Sequence, residues 1–268
     1  MNRKIIFLGT GNAGALNCYN SCFVIENEGK YFMVDAGGGN QVLKNLKEVN
    51  IDLLKIHDLF VTHTHTDHVL GVIWVIRNIL QAIKSNKYEG NLRIFSHKKV
   101  LDLIKTICTQ GLPPKLVSLM QGRIIFNDYT DNLHFETCNI EFTAFDILST
   151  KEKQFGFSAK FKDGTKLTYL GDEPFNESCR EHAINSDILI TEAFCLYKDR
   201  GIFKPYEKHH STVMDAARCA TDLNAKTLIL FHTEDSDLEH RKENYTKEAS
   251  KYFSGHVFVP NDLELINF

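Results

Sequence analysis

The chain has 268 residues, 43% of them hydrophobic and 24% charged, with a formal net charge of −3. That length supports a buried core without staples, the composition excludes wholesale disorder, and the longest apolar run, 69–76, is far too short to cross a bilayer. The charge gives no global attraction to nucleic acid, and seven cysteines without a Cys-x-x-Cys pair read as thiols of a reducing compartment, with the cytoplasm as the default location.

In chain order, 5–8, 22–25 and 31–34 are strands by composition, and Glu28-Gly29 turns the second pair into a hairpin. The basic amino terminus runs straight into a Gly-rich turn and carries no export signal. Residues 35–39 break the sheet, 41–49 reads as a helix and 59–62 as a buried strand. The stretch after His68 is a longer helix with apolar residues at 69, 72, 73, 76, 79, 80 and 83. Further strands are expected at 92–95, 123–126, 140–145, 155–161, 167–170, 188–191 and 228–231, with helices near 98–108, 176–184, 212–223 and 242–253. Hairpins intermixed with helices predict a single domain over 1–268, of the α/β (α+β) class, with two mixed sheets flanked by helices.

The segment Phe60-Val61-Thr62-His63-Thr64-His65-Thr66-Asp67-His68 carries the chemistry. His63 and His65, two apart on an extended backbone, project to one side and reach one cation. Asp67 and His68 follow where the chain turns into the helix and serve a second cation beside the first. A solvated Thr- and His-rich loop is the bland alternative, but a buried strand seldom ends in three histidines without a metal.

Thr62 through His68 resembles the signature of the metallo-β-lactamase fold superfamily of hydrolases. Leu8-Gly9-Thr10-Gly11, Asn20-Ser21 and Val34-Asp35-Ala36-Gly37 resemble the opening of its ribonuclease Z and phosphodiesterase branch. The resemblance implies a four-layer αββα sandwich. It also implies a metal-bridging aspartate at Asp172, in Tyr169-Leu170-Gly171-Asp172, and a last histidine ligand at His232, after the strand 228–231. Both stand at the end of an apolar strand, where a rigid sheet edge holds ligands from distant positions. In Lys208-His209-His210-Ser211-Thr212, His210 matches the family's element that contacts the scissile phosphate or protonates the leaving group. A histidine before a capped helix is its bland reading. Glu192 matches a strand-end carboxylate that orients His210, against the reading of an ordinary solvated carboxylate.

One expected member is missing. The family places a third histidine for the first metal ahead of the Phe-Gly segment, and 145–150 contains none. Asp146 is the candidate replacement, a harder ligand that would shift preference away from zinc; a turn cap or a solvent-facing carboxylate is its other reading. The ribonuclease Z arm that grips transfer RNA is also not evident, its nearest candidate being the short stretch 110–115. Lys151, Lys153, Lys198, Arg200, Lys204 and Lys208 are candidates for a basic rim, or a merely solvated one.

The implied ligands are therefore His63, His65, Asp67, His68, Asp146, Asp172 and His232, holding one or two divalent ions, zinc first, with manganese or iron as alternatives. Asp67, His210 and Glu192 are the implied catalytic groups. The implied reaction is metal-assisted hydrolysis of a phosphodiester, in a small anionic nucleotide or a nucleic-acid end, with water made nucleophilic near neutral pH. A lactone, ester or thioester hydrolase on the same centre, and a metal-binding sensor without turnover, stay as alternatives. No membrane partner is expected, and a homodimer stays open.

Overall fold

Fourteen strands form two seven-stranded mixed sheets within residues 3–268, the part of the chain that the computed structural model describes. Each sheet lies in its own unit. One unit comprises residues 3–9, Tyr19–Tyr129 and Asp262–Phe268, and the other Thr10–Cys18 and Thr130–Asn261.

In the first unit the strands are β1 (Arg3–Gly9), β2 (Cys22–Asn27), β3 (Lys30–Val34), β4 (Ile56–Phe60), β5 (Leu92–Ser96), β6 (Ile124–Asp128) and, last in sequence, β14 (Leu265–Asn267). Their order is β14-β1-β2-β3-β4-β5-β6. The strands β14 through β3 pair antiparallel, and β3 through β6 pair parallel. Glu28 and Gly29, both at positive φ, close the two-residue β2–β3 hairpin as expected. The helices are α1 (Gln41–Glu48), α2 (Thr66–Lys84), α3 (Lys98–Gly111) and the single turn α4 (Pro114–Val117). Val24, Met33, Leu59 and Ile94 of the sheet share a core with Leu46 of α1, Val72, Ile76 and Ile79 of α2, and Ile104 of α3. Within α2 the expected stripe needs one amendment, since Val75 is fully buried and Ile73 only partly. Residues 110–115 simply join α3 to α4, with Leu112 buried, so no arm projects there.

The second unit has β7 (Leu133–Thr137), β8 (Ile140–Asp146), β9 (Phe155–Phe161), β10 (Lys166–Tyr169), β11 (Ile188–Glu192), β12 (Thr227–Phe231) and β13 (His256–Phe258). They lie in sequence order, antiparallel from β7 to β10 and parallel from β10 to β13. Its helices are α5 (Arg180–Ala183), α6 (Arg200–Phe203), α7 (Val213–Asp222) and α8 (Leu238–Ala249). Ala217 and Ala220 of α7 and Tyr245 and Ala249 of α8 pack with Leu189, Leu228 and Leu230 of the sheet. A capping box starts α7: Thr212 accepts from Asp215 N, and Asp215 accepts from Thr212 N at 3.0 Å. The seven cysteines are unbridged, five of them buried. No described helix is long and apolar enough to cross a membrane.

Candidate metal centre

In both units the chemistry sits where parallel strands end. After β3 the chain turns through Asp35 at φ +53°, and after β4 it passes Val61 and Thr62 to His63 and His65 before entering α2 at Thr66. Gly71 lets the first turns of α2 rest on the 35–37 backbone, since a Cβ there would overlap the Ala36 carbonyl. Hydrogen bonds Ala36 N→His68 O (3.0 Å) and Gly71 N→Gly37 O (2.8 Å) fix this contact. It brings His68, fully buried, over Asp35.

Asp35 then organises two histidines. Its Oδ1 accepts from Thr62 N, and its Oδ2 accepts from Thr62 Oγ1 and pairs with His68 Nδ1, all at 2.8 Å. The His68 proton therefore belongs on Nδ1, which leaves the Nε2 lone pair as the metal-directed one. Thr62 Oγ1, having given its hydrogen to Asp35, accepts from His63 Nδ1 at 2.8 Å, so His63 is left with a bare Nε2 as well. That Nε2 faces His65 Nδ1 at 2.8 Å. Asp67, in the first turn of α2 where the helix dipole favours a carboxylate, lies 3.3 Å from His68 Nε2. Burial pushes the Asp35 carboxyl pKa up, and His68 and Thr62 draw it back down.

In the second unit β10, β11 and β12 end side by side and deliver Asp172, Glu192 and His232. Gly171 (φ +81°) turns Asp172 inward, and His232 itself adopts φ +56°. Gln154, just ahead of the antiparallel β9, donates its Nε2 to Asp172 Oδ1, and its Oε1 accepts from Asp172 N at 3.3 Å. Asp172 Oδ2 is left 3.6 Å from His232 Nε2. The His210 ring lies 5.4 Å from that of His232, stacks on Phe194 at 4.8 Å and hydrogen-bonds the Asp172 carbonyl. Glu192 Oε1 accepts from Ser211 N at 2.6 Å, while its Oε2 faces His210 Nδ1 at 3.7 Å; both of those atoms are buried without a hydrogen bond. Burial pushes Glu192 up to about 8, and burial with the neighbouring His232 and Lys151 pushes His210 down to about 3. Near pH 7 the two are thus a protonated acid facing a neutral imidazole.

The donor set fits a divalent ion. Bonds of about 2.0–2.2 Å arranged tetrahedrally put ligand atoms about 3.4 Å apart. The Asp67–His68 and Asp172–His232 separations of 3.3 and 3.6 Å bracket that edge. The shorter His63–His65 pair is hydrogen-bonded and would open by about half an ångström around an ion.

Asp146 is engaged elsewhere. Its Oδ1 accepts from Leu148 N at 2.9 Å and its Oδ2 pairs with Lys153 at 3.3 Å, the geometry of a turn cap. Of the proposed basic rim, Lys204 pairs with Glu207 (3.4 Å) and Arg200 stacks on Tyr197 (3.8 Å). Lys151 and Lys208 flank the His209–His210 turn: Lys151 Nζ donates to Lys208 O at 3.0 Å, and Lys208 Nζ sits 5.0 Å from the centre of the Phe194 ring. The sequence alone does not mark Asp35, Thr62 or Gln154 as site residues. The one signal available for them was position, Asp35 and Thr62 at the carboxyl ends of apolar strands and Gln154 at the start of one.

The family model described as Anti-Pycsar protein Apyc1 matches residues 3–252. The chain belongs to that family. Among curated relatives of this Apyc1-family chain, ribonuclease Z of Nanoarchaeum equitans is 26% identical, covering 85% of this chain and 82% of the relative. The solved metallo-β-lactamase fold protein YhfI of Bacillus subtilis superimposes with a TM-score of 0.82 over all of both chains at 17% identity. The short form of human tRNase Z does so at 0.74 over 98% of each chain, at 24% identity. The Apyc1-family chain therefore has the metallo-β-lactamase fold expected from Thr62–His68, and it is a ribonuclease Z-like hydrolase.

Proposed function

We propose that this Apyc1-family chain acts as one hydrolase domain over 1–268 and cleaves a phosphodiester in a small nucleotide or at a nucleic-acid end. The observation that carries the reading is the two buried imidazole–carboxylate pairs at ligand-edge spacing, Asp67–His68 in one unit and Asp172–His232 in the other, with the His210 ring 5.4 Å from that of His232. The family match, which runs through both units, supports treating them as one functional whole.

In this reading His63, His65, Asp67 and His68 of the first unit and Asp172 and His232 of the second would hold one or two divalent ions. Zinc is the first choice, with manganese or iron as alternatives. Asp146 stays with its turn. Such ions lower the pKa of water toward neutrality and polarise a phosphoryl oxygen. The chain's own groups do the rest. Asp67 accepts a hydrogen bond from the attacking water and orients it. Glu192, protonated and with Oε2 facing His210 Nδ1 at 3.7 Å, would favour a bare Nδ1 and so keep the N–H of His210 on Nε2. That N–H, now turned to the Asp172 carbonyl, is the donor available to the phosphoryl or departing oxygen. Gln154 keeps Asp172 from rotating away.

The test compares bis-p-nitrophenyl phosphate with p-nitrophenyl acetate, before and after chelation, alongside elemental analysis of protein purified without added metal. Metal-dependent cleavage of the phosphodiester is expected. Cleavage of the acetate alone would replace this reading by a carboxyl-ester hydrolase, and bound metal without turnover by a sensor.

A further inference from the structure

Beside His210 a cavity of about 460 Å³ opens, walled by Leu148, Thr150, Phe175, Tyr206, His209 and His210. Its volume is within the range of small-molecule sites. Two features of its wall are unexplained by folding. Leu148 adopts φ +57°, a backbone conformation that is an outlier for a bulky side chain, and leaves that side chain 50% exposed. The Asp146 carboxylate holds the residue there by accepting from Leu148 N. Tyr206, also in the lining, is 53% exposed, although its hydroxyl donates to Asp215 Oδ2 at 2.8 Å and so anchors the ring to the capping box of α7. His209, at φ +55°, ties the two segments together through its Nδ1 and Thr150 Oγ1 at 2.9 Å. Leu148 and Tyr206 are therefore held in place with their side chains half-exposed, in a lining that also includes Glu173, Asn176 and Glu177. His210 and Glu173 also line it, and the Lys151 ammonium lies 3.8 Å from the Glu173 carboxylate.

We propose that this cavity is the subsite for the nucleobase of the substrate, which packs against Leu148 and Tyr206 while the phosphoryl group sits beside His210. A flat ring covers the two exposed side chains and gains a stack on a ring already fixed in place. Asp146 then serves the substrate and not the metal, by holding Leu148 at the wall. The inference rests on the phosphodiesterase reading above and adds the part of the molecule that distinguishes a nucleotide from any other diester.

The experiment uses the metal-loaded full chain and two chromogenic diesters with one leaving group: the p-nitrophenyl ester of thymidine 5′-monophosphate and methyl p-nitrophenyl phosphate. The wild type is expected to favour the nucleoside ester in kcat/KM. Tyr206→Ala, and Leu148→Gly, which relieves the backbone conformation as it removes the side chain, should each lower that preference about five- to a hundredfold through KM, the worth of one base contact. Tyr206→Phe keeps the ring but loses its anchor to Asp215, and should therefore retain more of the preference than Tyr206→Ala. A wild type that treats both esters alike, or variants that lose both equally, would overturn the subsite and leave the phosphodiesterase reading standing. Cleavage of neither ester would overturn both.

Discussion

The sharpest consequence of the site geometry is that one buried carboxylate, Asp35, sets the proton positions of two proposed ligands, His63 and His68. Asp35→Asn preserves shape but replaces an acceptor by a donor. If the amide oxygen stays on Thr62 N, its NH2 faces Thr62 Oγ1 and His68 Nδ1, which now donate to Asp35 Oδ2 at 2.8 Å each. Two donors cannot meet a donor, so the His68 proton must move to Nε2, the atom directed at the metal. Thr62 Oγ1 must then accept from the amide and donate to His63 Nδ1, which drives the His63 proton to Nε2 as well. If the amide flips instead, Thr62 N is left against an NH2 in a buried place, at about 1–3 kcal/mol. Either way the cost falls on metal binding. Loss of such an outer hydrogen bond typically weakens a site 10–100-fold, about 1.4–2.8 kcal/mol, and here two proposed ligands are touched. Competition titration of metal-free protein against a chromophoric zinc chelator, with circular dichroism to confirm folding, measures it. A folded Asp35→Asn protein that binds metal within twofold of wild type would refute the proton assignment.

Three further outcomes follow from particular residues. Glu192 holds its proton up to about pH 8 when folded, against an ordinary 4.5, so in metal-free protein it makes stability fall as pH rises through that window. His210, at about 3 when folded against an ordinary 6.5, contributes stability that is lost as pH falls through 6.5 toward 3. The two oppose each other between 4.5 and 6.5. Glu192→Gln should thus flatten the decline from pH 6.5 to 8 in urea midpoints, and parallel wild-type and variant curves would contradict the buried neutral acid. Asp146→Ala should leave the number of bound ions unchanged, because its carboxylate is spent on Leu148 N and Lys153; a lost ion by elemental analysis would make it a ligand after all. Gly71→Ala should lower the melting temperature by overpacking α2 against Ala36, at about 1–3 kcal/mol, and should weaken metal binding with it, since His68 rides on that contact. Full metal affinity in a destabilised Gly71→Ala protein would separate the packing from the site.

Much of this was legible along the chain because it is local. His63, His65, Asp67 and His68 fall within six positions, and the apolar strands before Asp172 and His232 mark where a sheet ends. What stayed hidden acts across distance. Asp35 looks like any turn residue until Thr62 and His68, 27 and 33 positions on, come to it. Gln154 matters only through Asp172, 18 residues later. The missed strands β13 and β14 have three residues each, too few for any periodicity, and β7 is an edge strand with three of its five residues polar, His134, Glu136 and Thr137. Helix α8 begins four residues before the expected 242 because Asp237 accepts from His240 N and because its buried face carries Arg241, a charge where the apolar pattern wants a Leu.

Arg241 also explains a cost that the site carries. His232 sits in the left-handed region, which disfavours a non-glycine residue by about 1–2 kcal/mol. The turn persists because the next residue is clamped from three sides. Thr233 N donates to Thr10 O at 3.1 Å, Asn12 Nδ2 donates to Thr233 O at 2.8 Å, and Arg241 donates to Thr233 Oγ1 at 2.8 Å while also reaching Thr10 Oγ1 and the Pro260 carbonyl. The opening Gly-Thr-Gly-Asn run is in this chain a brace for His232, the proposed ligand about 220 positions away. Asp35 after β3 and His232 after β12 thus share one device: a parallel strand delivers the residue, a left-handed turn aims it, and hydrogen bonds from remote sequence hold the strain. The imidazoles are fixed by the protein before any ion arrives, which is the condition under which binding energy goes into the metal and not into ordering its ligands.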